Sequence, residues 1–431
     1  AVIRGILNEV RPGAGGGDTG FLEVFNPTSA PLALGGYVVS FGGAEMAALP
    51  GGPDLAPGGF RAFTGAVLGA NLPNRNDVCM LLAPDGKTFV DAMEVREAPA
   101  GSSSARFPDG GDDVFVTDTP TQGASNAYVP FTAVVINEIH FHPPYIPPAG
   151  ACIARCSDAD QWIELWNRSG ADVELGGWSL TKGVEIVLPA GTRIRAGAAL
   201  VIAANVARFQ AENPGVTDVV GGWTGRLAHD TDTINLRDAL GNRVDHVKYG
   251  DGGPRNDEDP RDGVDDGTFR ASAWPPDADG SGRTLELVHP GLDNRGGHAW
   301  RASALPGGTP GAQNSAFDST PAPVIDQVRH SPAVPRSTDT VRVRARISSI
   351  QAITTATLEW SPDGTPLQPV VLRDDGTGAD AKAGDGEYAA SIPARFDGTV
   401  IRFRITATSA GGSLTVPVPP DIPPYFGFSG P

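Results

Sequence analysis

Residues Phe21 to Tyr37, FLEVFNPTSAPLALGGY, recur without a gap as Trp162 to Trp178, WIELWNRSGADVELGGW, 141 positions further along the chain. Glu23 aligns with Glu164, Asn26 with Asn167, and Leu34-Gly35-Gly36-Tyr37 with Leu175-Gly176-Gly177-Trp178. Upstream, Leu7-Asn8-Glu9-Val10 aligns with Ile136-Asn137-Glu138-Ile139 at an offset of 129, so the second copy carries 12 extra residues between the two blocks. A repeat this long makes each copy a folding unit, and its internal pattern says of what kind. Ile163 and Leu165 point one way and Trp162, Glu164 and Trp166 the other, the period of two that belongs to strands. Two hairpins follow in register: Asp77 to Ala83 and Thr88 to Val95 flank Pro84-Asp85-Gly86, and Asp232 to Arg237 and Arg243 to Tyr249 flank Leu240-Gly241-Asn242. Cys79 aligns with Ile234, which makes it a core thiol.

Composition agrees with strands. The 56 glycines and 39 prolines among 431 residues are too many helix breakers for a helical protein, while 40% hydrophobic content is enough to bury cores. The expected class is all-β, in several domains. Thirty-three basic against 50 acidic side chains leave a net charge of −17, which opposes nucleic-acid binding because that affinity comes from neutralising phosphates with cations. No apolar run reaches the roughly 18 residues needed to span a bilayer. The chain opens at Ala1-Val2 directly in strand-like sequence, the pattern of a mature or trimmed chain.

The order Ile/Leu-Asn-Glu, then Ile/Leu-Glu-hydrophobic-x-Asn, then Leu-x-Gly-Trp/Tyr, then Leu-Pro and a glycine turn resembles the lamin-tail domain, an immunoglobulin-like β-sandwich also found in secreted bacterial proteins. The second copy is the better match, from Val134 through Thr284-Leu-Glu-Leu-Val-His-Pro and Thr309-Pro-Gly-Ala-Gln-Asn to about Ser315. In the first copy Tyr37 replaces the tryptophan and Ala98 to Asn126 is irregular. From Ala322 six short strand-like runs at sandwich spacing give one further domain. Its Asp/Gly-rich stretch Arg373 to Tyr388 resembles the hairpin of the immunoglobulin-like module that follows a lamin-tail domain and precedes a CotH-type kinase domain in exported bacterial proteins. The expected organisation is tandem immunoglobulin-like β-sandwiches: residues 1–127, residues 130–316 with an inserted loop at 143–160, residues 322–417, and an extended proline-rich tail at 418–431.

Several side chains could carry chemistry. Cys152 and Cys156 stand in the inserted loop, where a short disulfide ring would stiffen a segment without a core; a structural zinc would need four ligands, and no second Cys/His pair follows. The disulfide is favoured and points to an oxidising compartment. Three acidic loops have the oxygen ligands that calcium prefers: Asp374, Asp375, Asp380 and Asp385; Asp277 and Asp279 with Ser281; and the run Asp251 to Asp266. The competing and slightly favoured reading is solvated turns in which Asp caps backbone amides. Calcium is the one cofactor suggested.

His140 and His142 alternate and so share a strand face, but no third metal ligand is evident, and a structural role is favoured. Trp162, Trp166 and Trp223 are candidates for a ligand or partner surface, against the commoner fate of aromatic burial. Glu9/Glu138 and Glu23/Glu164 invite a glycosidase acid–base pair, yet one catalytic pair needs no duplication, whereas a carboxylate that satisfies backbone does. Nucleophile elbows, phosphate loops, zinc-protease and protein-kinase motifs are missing.

The sequence thus points to a noncatalytic, exported, cell-surface or extracellular structural or adhesive protein, with protein or polysaccharide partners. Self-association is expected through the terminal segments Ala1 to Val10 and Val416 to Pro431. The alternatives are the targeting or substrate-presenting part of a CotH-type kinase or hydrolase, and a carbohydrate-binding array.

Overall fold

The computed structural model describes residues 5–111, 113–128, 131–144, 158–251, 268–269, 274–417 and 425–428. Contacts divide the chain into two units, Ala1–Phe131 with Asp238–Asn242, and Thr132–Arg237 with Arg243–Pro431. Nearly all regular structure is antiparallel strand, in immunoglobulin-like β-sandwiches; the α-helices among the described residues are the short Gly65–Leu68 and Val206–Glu212.

In the first unit one sheet runs Phe60–Thr64, Phe21–Phe25, Ile6–Arg11, Ser103–Arg106, Val114–Thr117, and the other Ala44–Ala48, Val38–Phe41, Asp77–Leu82, Phe89–Val95. Leu7, Val10, Leu22 and Val24 of the first sheet pack with Val39, Phe41, Leu81 and Met93 of the second. Cys79 belongs to this core, fully buried, and burial drives its thiol pKa far up, so it is inert packing.

Leu7 and Val10 both face that core although they are three residues apart, which an unbroken strand forbids. The register shows how: Leu7 lies opposite Val24 and Glu9 opposite Glu23, so Asn8 is the extra residue of a β-bulge. The second unit repeats the device, with Ile136 opposite Leu165, Glu138 opposite Glu164, and Asn137 bulged.

The first sandwich of the second unit has the same strand order. One sheet contains Ala199–Ala203, Trp162–Asn167, Val134–His140, Leu285–Leu287 and Trp300–Ala302, with Val219–Gly221 added in parallel at its edge. The facing sheet runs Thr224–Gly225, Val184–Val187, Ser179–Thr181, Thr231–Arg237, Arg243–Gly250. The repeated Gly-Gly is a turn requirement: Gly36 and Gly177 have φ of +83° and +80°, where a side chain is strained. Each then donates to the leucine of the Leu-Pro pair, Gly36 N to Leu49 O at 2.9 Å and Gly177 N to Leu188 O at 3.0 Å.

A second sandwich completes this unit. Val324–Ser331, Val341–Ser348 and Glu387–Ile392 face Gln368–Val371, Ile353–Pro362, Val400–Ser409 and Gly412–Val416 across a core centred on Leu358, Phe403 and Ile405. Strict in-and-out alternation along Val341–Ser348 and Val400–Ser409 puts Val343, Ala345, Phe403 and Ile405 inside. Asp293 ties the two sandwiches together, pairing with Arg346 Nε at 2.9 Å and donating its amide to Ser348 Oγ at 2.9 Å.

Two stretches of the terminal segments are described, and both are paired within the fold. Ile6–Arg11 is an inner strand, paired on one side with Phe21–Phe25 and on the other with Ser103–Arg106, and Tyr425–Gly427 pairs with Val400–Arg402.

Candidate functional site

The bulged asparagines aim the repeated carboxylates. Asn8 Nδ2 donates to Glu23 Oε1 at 3.2 Å, and Asn137 Nδ2 donates to Glu164 Oε1 at 3.0 Å. The other oxygen of each acid accepts a main-chain amide from a later loop, Gly123 N to Glu23 and Gly311 N to Glu164, both at 2.6 Å. Glu9 accepts Ser103 Oγ at 2.5 Å and Thr121 N at 3.1 Å, while Glu138 accepts Thr284 Oγ1 at 2.5 Å and Thr309 N at 3.0 Å. Asn126 Nδ2 then returns to Asn8 O at 3.0 Å, as Asn314 Nδ2 returns to Asn137 O at 3.0 Å.

Two closing loops therefore correspond, Thr121-Gln-Gly-Ala-Ser-Asn126 and Thr309-Pro-Gly-Ala-Gln-Asn314. Only the second belongs to the lamin-tail pattern legible in the sequence. Its signal in the first is the spacing Thr-x-Gly-Ala-x-Asn, 188 positions earlier. A further repeated contact went unseen: Asp91 accepts Leu7 N at 2.8 Å and Asp245 accepts Ile136 N at 2.7 Å, each capping the amide just before the bulge.

Glu9, Glu23, Glu138, Glu164 and Glu286 are completely buried. Burial raises the pKa of Glu23 and of Glu164 to about 7, and it lifts Glu138 well above the carboxylate range with help from neighbouring Glu164. Glu286 lies opposite Glu138, where the first unit has Ala105 opposite Glu9, so the second unit carries three acids abreast. Glu286 is held by Thr309 Oγ1 at 2.8 Å, Ser315 Oγ at 2.7 Å and Ala316 N at 2.7 Å. Carboxylates sealed from solvent and bonded to main-chain amides have the geometry of clamps that fasten a loop to a sheet.

The acidic turn gathers three of the four aspartates proposed there. Ligand oxygens of Asp374, Asp380 and Asp385 lie within 4.8 Å of one another. The carboxylates also organise the turn: Asp374 accepts Gly384 N at 2.8 Å and Asp385 N at 3.1 Å, Asp380 accepts Gly376 N at 2.5 Å, and Asp385 accepts Glu387 N at 2.9 Å. Asp375 stands apart, paired with Arg373 at 3.0 Å and with Thr377. Among the described residues no group of three possible metal ligands includes Asp277 or Asp279. Asp277 is exposed and its backbone carbonyl accepts Ser281 Oγ, whereas Asp279 pairs with His142. Cys152, Cys156 and nearly all of the run Asp251 to Asp266 lie outside the described residues.

His142 finds neighbours that sequence did not suggest. Its ring stacks on His229 with centroids 4.0 Å apart and planes 10° apart, and His229 Nε2 lies 3.4 Å from Asp158. Parallel imidazoles hold their lone pairs in parallel planes, so the stack does not converge on one ion. His140 is buried against Trp162, and burial lowers its pKa to about 4.

Of the three tryptophans, two are unavailable to a ligand. Trp162 is 3% exposed and packs edge-on to Phe209 of the helix Val206–Glu212, and Trp223 is 8% exposed. Trp166 is half-buried and lines a cleft of about 30 Å³ with Asn137, Pro290, Gln313 and Phe317. That volume holds about one water, so a sugar ring would lie over the cleft and not inside it.

Residues 130–251 match the family model of the Lamin Tail Domain. The matched span is over a quarter of the chain and contains the Asn137 bulge, Glu138 and Glu164, while their partners at Thr284 and Thr309 to Asn314 lie beyond it. No curated protein matches the sequence. Among solved structures, BhCBM56, crystallised as a Br derivative, is 10% identical, with a TM-score of 0.17, over 26% of this chain and 96% of its own. Two Salmonella alpha-2-macroglobulin structures, a mutant and the methylamine-reacted protein, are 11% and 10% identical, each with a TM-score of 0.19. They cover all of this chain, which spans about a third (33%) of theirs. At these scores none of the three carries an argument. Among the described residues no helix is long and apolar enough to cross a membrane.

Proposed function

We propose that this chain is a noncatalytic scaffold, exported to the cell surface or the medium, where it serves a structural or adhesive role. In this proposal the first unit is a second, divergent lamin-tail-like sandwich, and residues 324–428 form an immunoglobulin-like module behind the matched domain. The order resembles the noncatalytic part of exported CotH-type kinase proteins. The observation that carries the proposal is the duplicated clamp: the acids best placed by sequence for acid–base work are buried and bonded to backbone in both units. Calcium at Asp374, Asp380 and Asp385 belongs to the same proposal, supported by the convergence of their oxygens.

Fractionation of the native cells, with the chain followed by antibody, tests the export step. Recovery in the surface or medium fraction is expected. Confinement to the cytoplasm contradicts it. Adhesion is tested by binding of the purified chain to isolated cell envelopes, with no retention as the contrary result.

A further inference from the structure

The sheet that carries Glu23 ends at Phe60–Thr64, while the corresponding sheet of the second unit continues past Ala199–Ala203 to one more strand, Val219–Gly221. The register makes the two edges comparable residue by residue. Glu23 lies opposite Ala62 as Glu164 lies opposite Val201, and Phe21 lies opposite Thr64 as Trp162 lies opposite Ala203. Residues 65–76 lead from the first edge to the next hairpin, against residues 204–230 from the second, and the extra length supplies the added strand. That strand runs parallel, with Val201 N donating to Asp218 O at 3.0 Å and Gly222 N donating to Ala203 O at 2.9 Å. Opposite Val201, Val219 packs on the cluster of Trp162 and Phe209. Opposite Ala203 stands Gly221, where a Cβ would lie 2.0 Å from Ala203 O.

Backbone groups along a strand point to its two sides in alternation, so the N–H and C=O that Val201 offers its added strand are those that Ala62 turns outward. Among the described residues no strand pairs with this side of Phe60–Thr64. Nothing in the strand blocks it either. The ladder to Phe21–Phe25 is unbroken by a bulge, the strand contains no proline, and the guanidinium of Arg61 is held by Pro53 O at 2.5 Å. Thr64 still has extended backbone, with φ −70° and ψ 151°. The sheet face alongside is covered, since Arg11 lies over the buried Phe21 ring at 5.6 Å, so the open feature is the edge itself. We infer that the edge of Phe60–Thr64 is a strand-addition site for an extended peptide segment of a partner protein, running parallel to it, with a β-branched residue opposite Ala62 and glycine opposite Thr64.

The test uses the full chain and a synthetic peptide, Val-Thr-Asp-Val-Val-Gly-Gly, that copies residues 216–222. With millimolar peptide, exchange of the Ala62 amide is expected to slow by about tenfold or more. The same peptide N-methylated at Val220 lacks the donor for the edge carbonyl, and the peptide variant Gly221→Val carries the colliding side chain. Neither is expected to protect Ala62. In the chain, Ala62→Pro removes an N–H that the ladder to Phe21–Phe25 does not use, and it is expected to abolish binding of the labelled peptide in fluorescence anisotropy, with thermal melting as the check on folding. An Ala62 amide that exchanges as slowly as that of Val201 in the free chain, that the unmodified peptide leaves unchanged, or that the N-methylated peptide protects equally would overturn the inference. None of these results bears on export, which cell fractionation decides separately.

Discussion

Glu23 and Glu164, 141 residues apart in sequence, each accept one side-chain amide from a bulged asparagine and one main-chain amide from a glycine 2.6 Å away. The acid is fixed on a strand, the asparagine on its neighbour, and the glycine on a loop 100 residues later in the first unit and 147 later in the second. A carboxylate in this position holds chain segments distant in sequence, and that is the property to test.

Asn126 and Asn314 close the two loops by donating to buried carbonyls, Asn126 to Asn8 O and Arg106 O, Asn314 to Asn137 O and Leu287 O. Asn126→Ala and Asn314→Ala each leave two carbonyls unpaired, and each is expected to destabilise its own unit by about 1–3 kcal/mol in chemical denaturation. A silent Asn126→Ala would show that the first unit is not closed like the second.

Gly308 has φ +66°, and a Cβ there would lie 1.9 Å from Glu138 Oε1 and 2.6 Å from Thr284 Oγ1. Gly308→Ala is expected to lower stability by about 3 kcal/mol or more, because it combines backbone strain with a collision in the clamp. Gly15 also has a positive φ, +81°, but nothing lies within 4 Å of its added Cβ. Gly15→Ala should cost only about 1 kcal/mol, the backbone part alone. Equal losses in the two variants would remove the packing argument.

Burial raises Glu23 and Glu164 to about 7 from an ordinary 4.5. A raised acid contributes stability that is fully present below its unfolded pKa and is lost as pH rises through its folded pKa. These two acids should therefore lower the melting temperature as pH rises from about 4.5 to about 7 and add no further slope above that. His140 and His246, both lowered to about 4 by burial, act the other way only below their unfolded value of 6.5. Glu164→Gln should flatten the slope between about pH 5 and pH 7 by up to about 1.4 kcal/mol per pH unit. An unchanged slope would show that Glu164 is ionised throughout.

Much of the fold was legible because it is written in alternation and in glycine. The Leu-Gly-Gly turns, the two hairpins and Cys79 in the core all follow from spacing alone, and the structure shows the same turns at Gly36 and Gly177. The bulge was not found, although Leu7 and Val10 three apart in a strand announce it. Period-two reading treats such a pair as noise. The tryptophans were harder: alternation places Trp162 and Trp166 on one face, but whether that face is covered depends on the helix carrying Phe209, more than forty residues away. His142 and His229 likewise meet only through tertiary structure.

Calcium at Asp374, Asp380 and Asp385 has a simple thermal test. Bound calcium stabilises the native state by mass action, so millimolar calcium should raise the melting temperature and EDTA reverse it, and Asp380→Asn should abolish the difference. Identical melting in calcium and EDTA would leave the three carboxylates as caps for the turn amides that they already accept.

Hydrogen exchange at Gly123 and Gly311 tests most directly whether the repeated carboxylates are clamps. Both amides lie in loops outside the strand ladders, yet each donates to a buried glutamate. If the glutamates fasten the loops, both amides exchange as slowly as those of the neighbouring strands, and Glu23→Gln and Glu164→Gln each release only the amide of their own loop. Exchange of Gly123 and Gly311 at the rate of open loops in the wild-type protein would contradict the clamp.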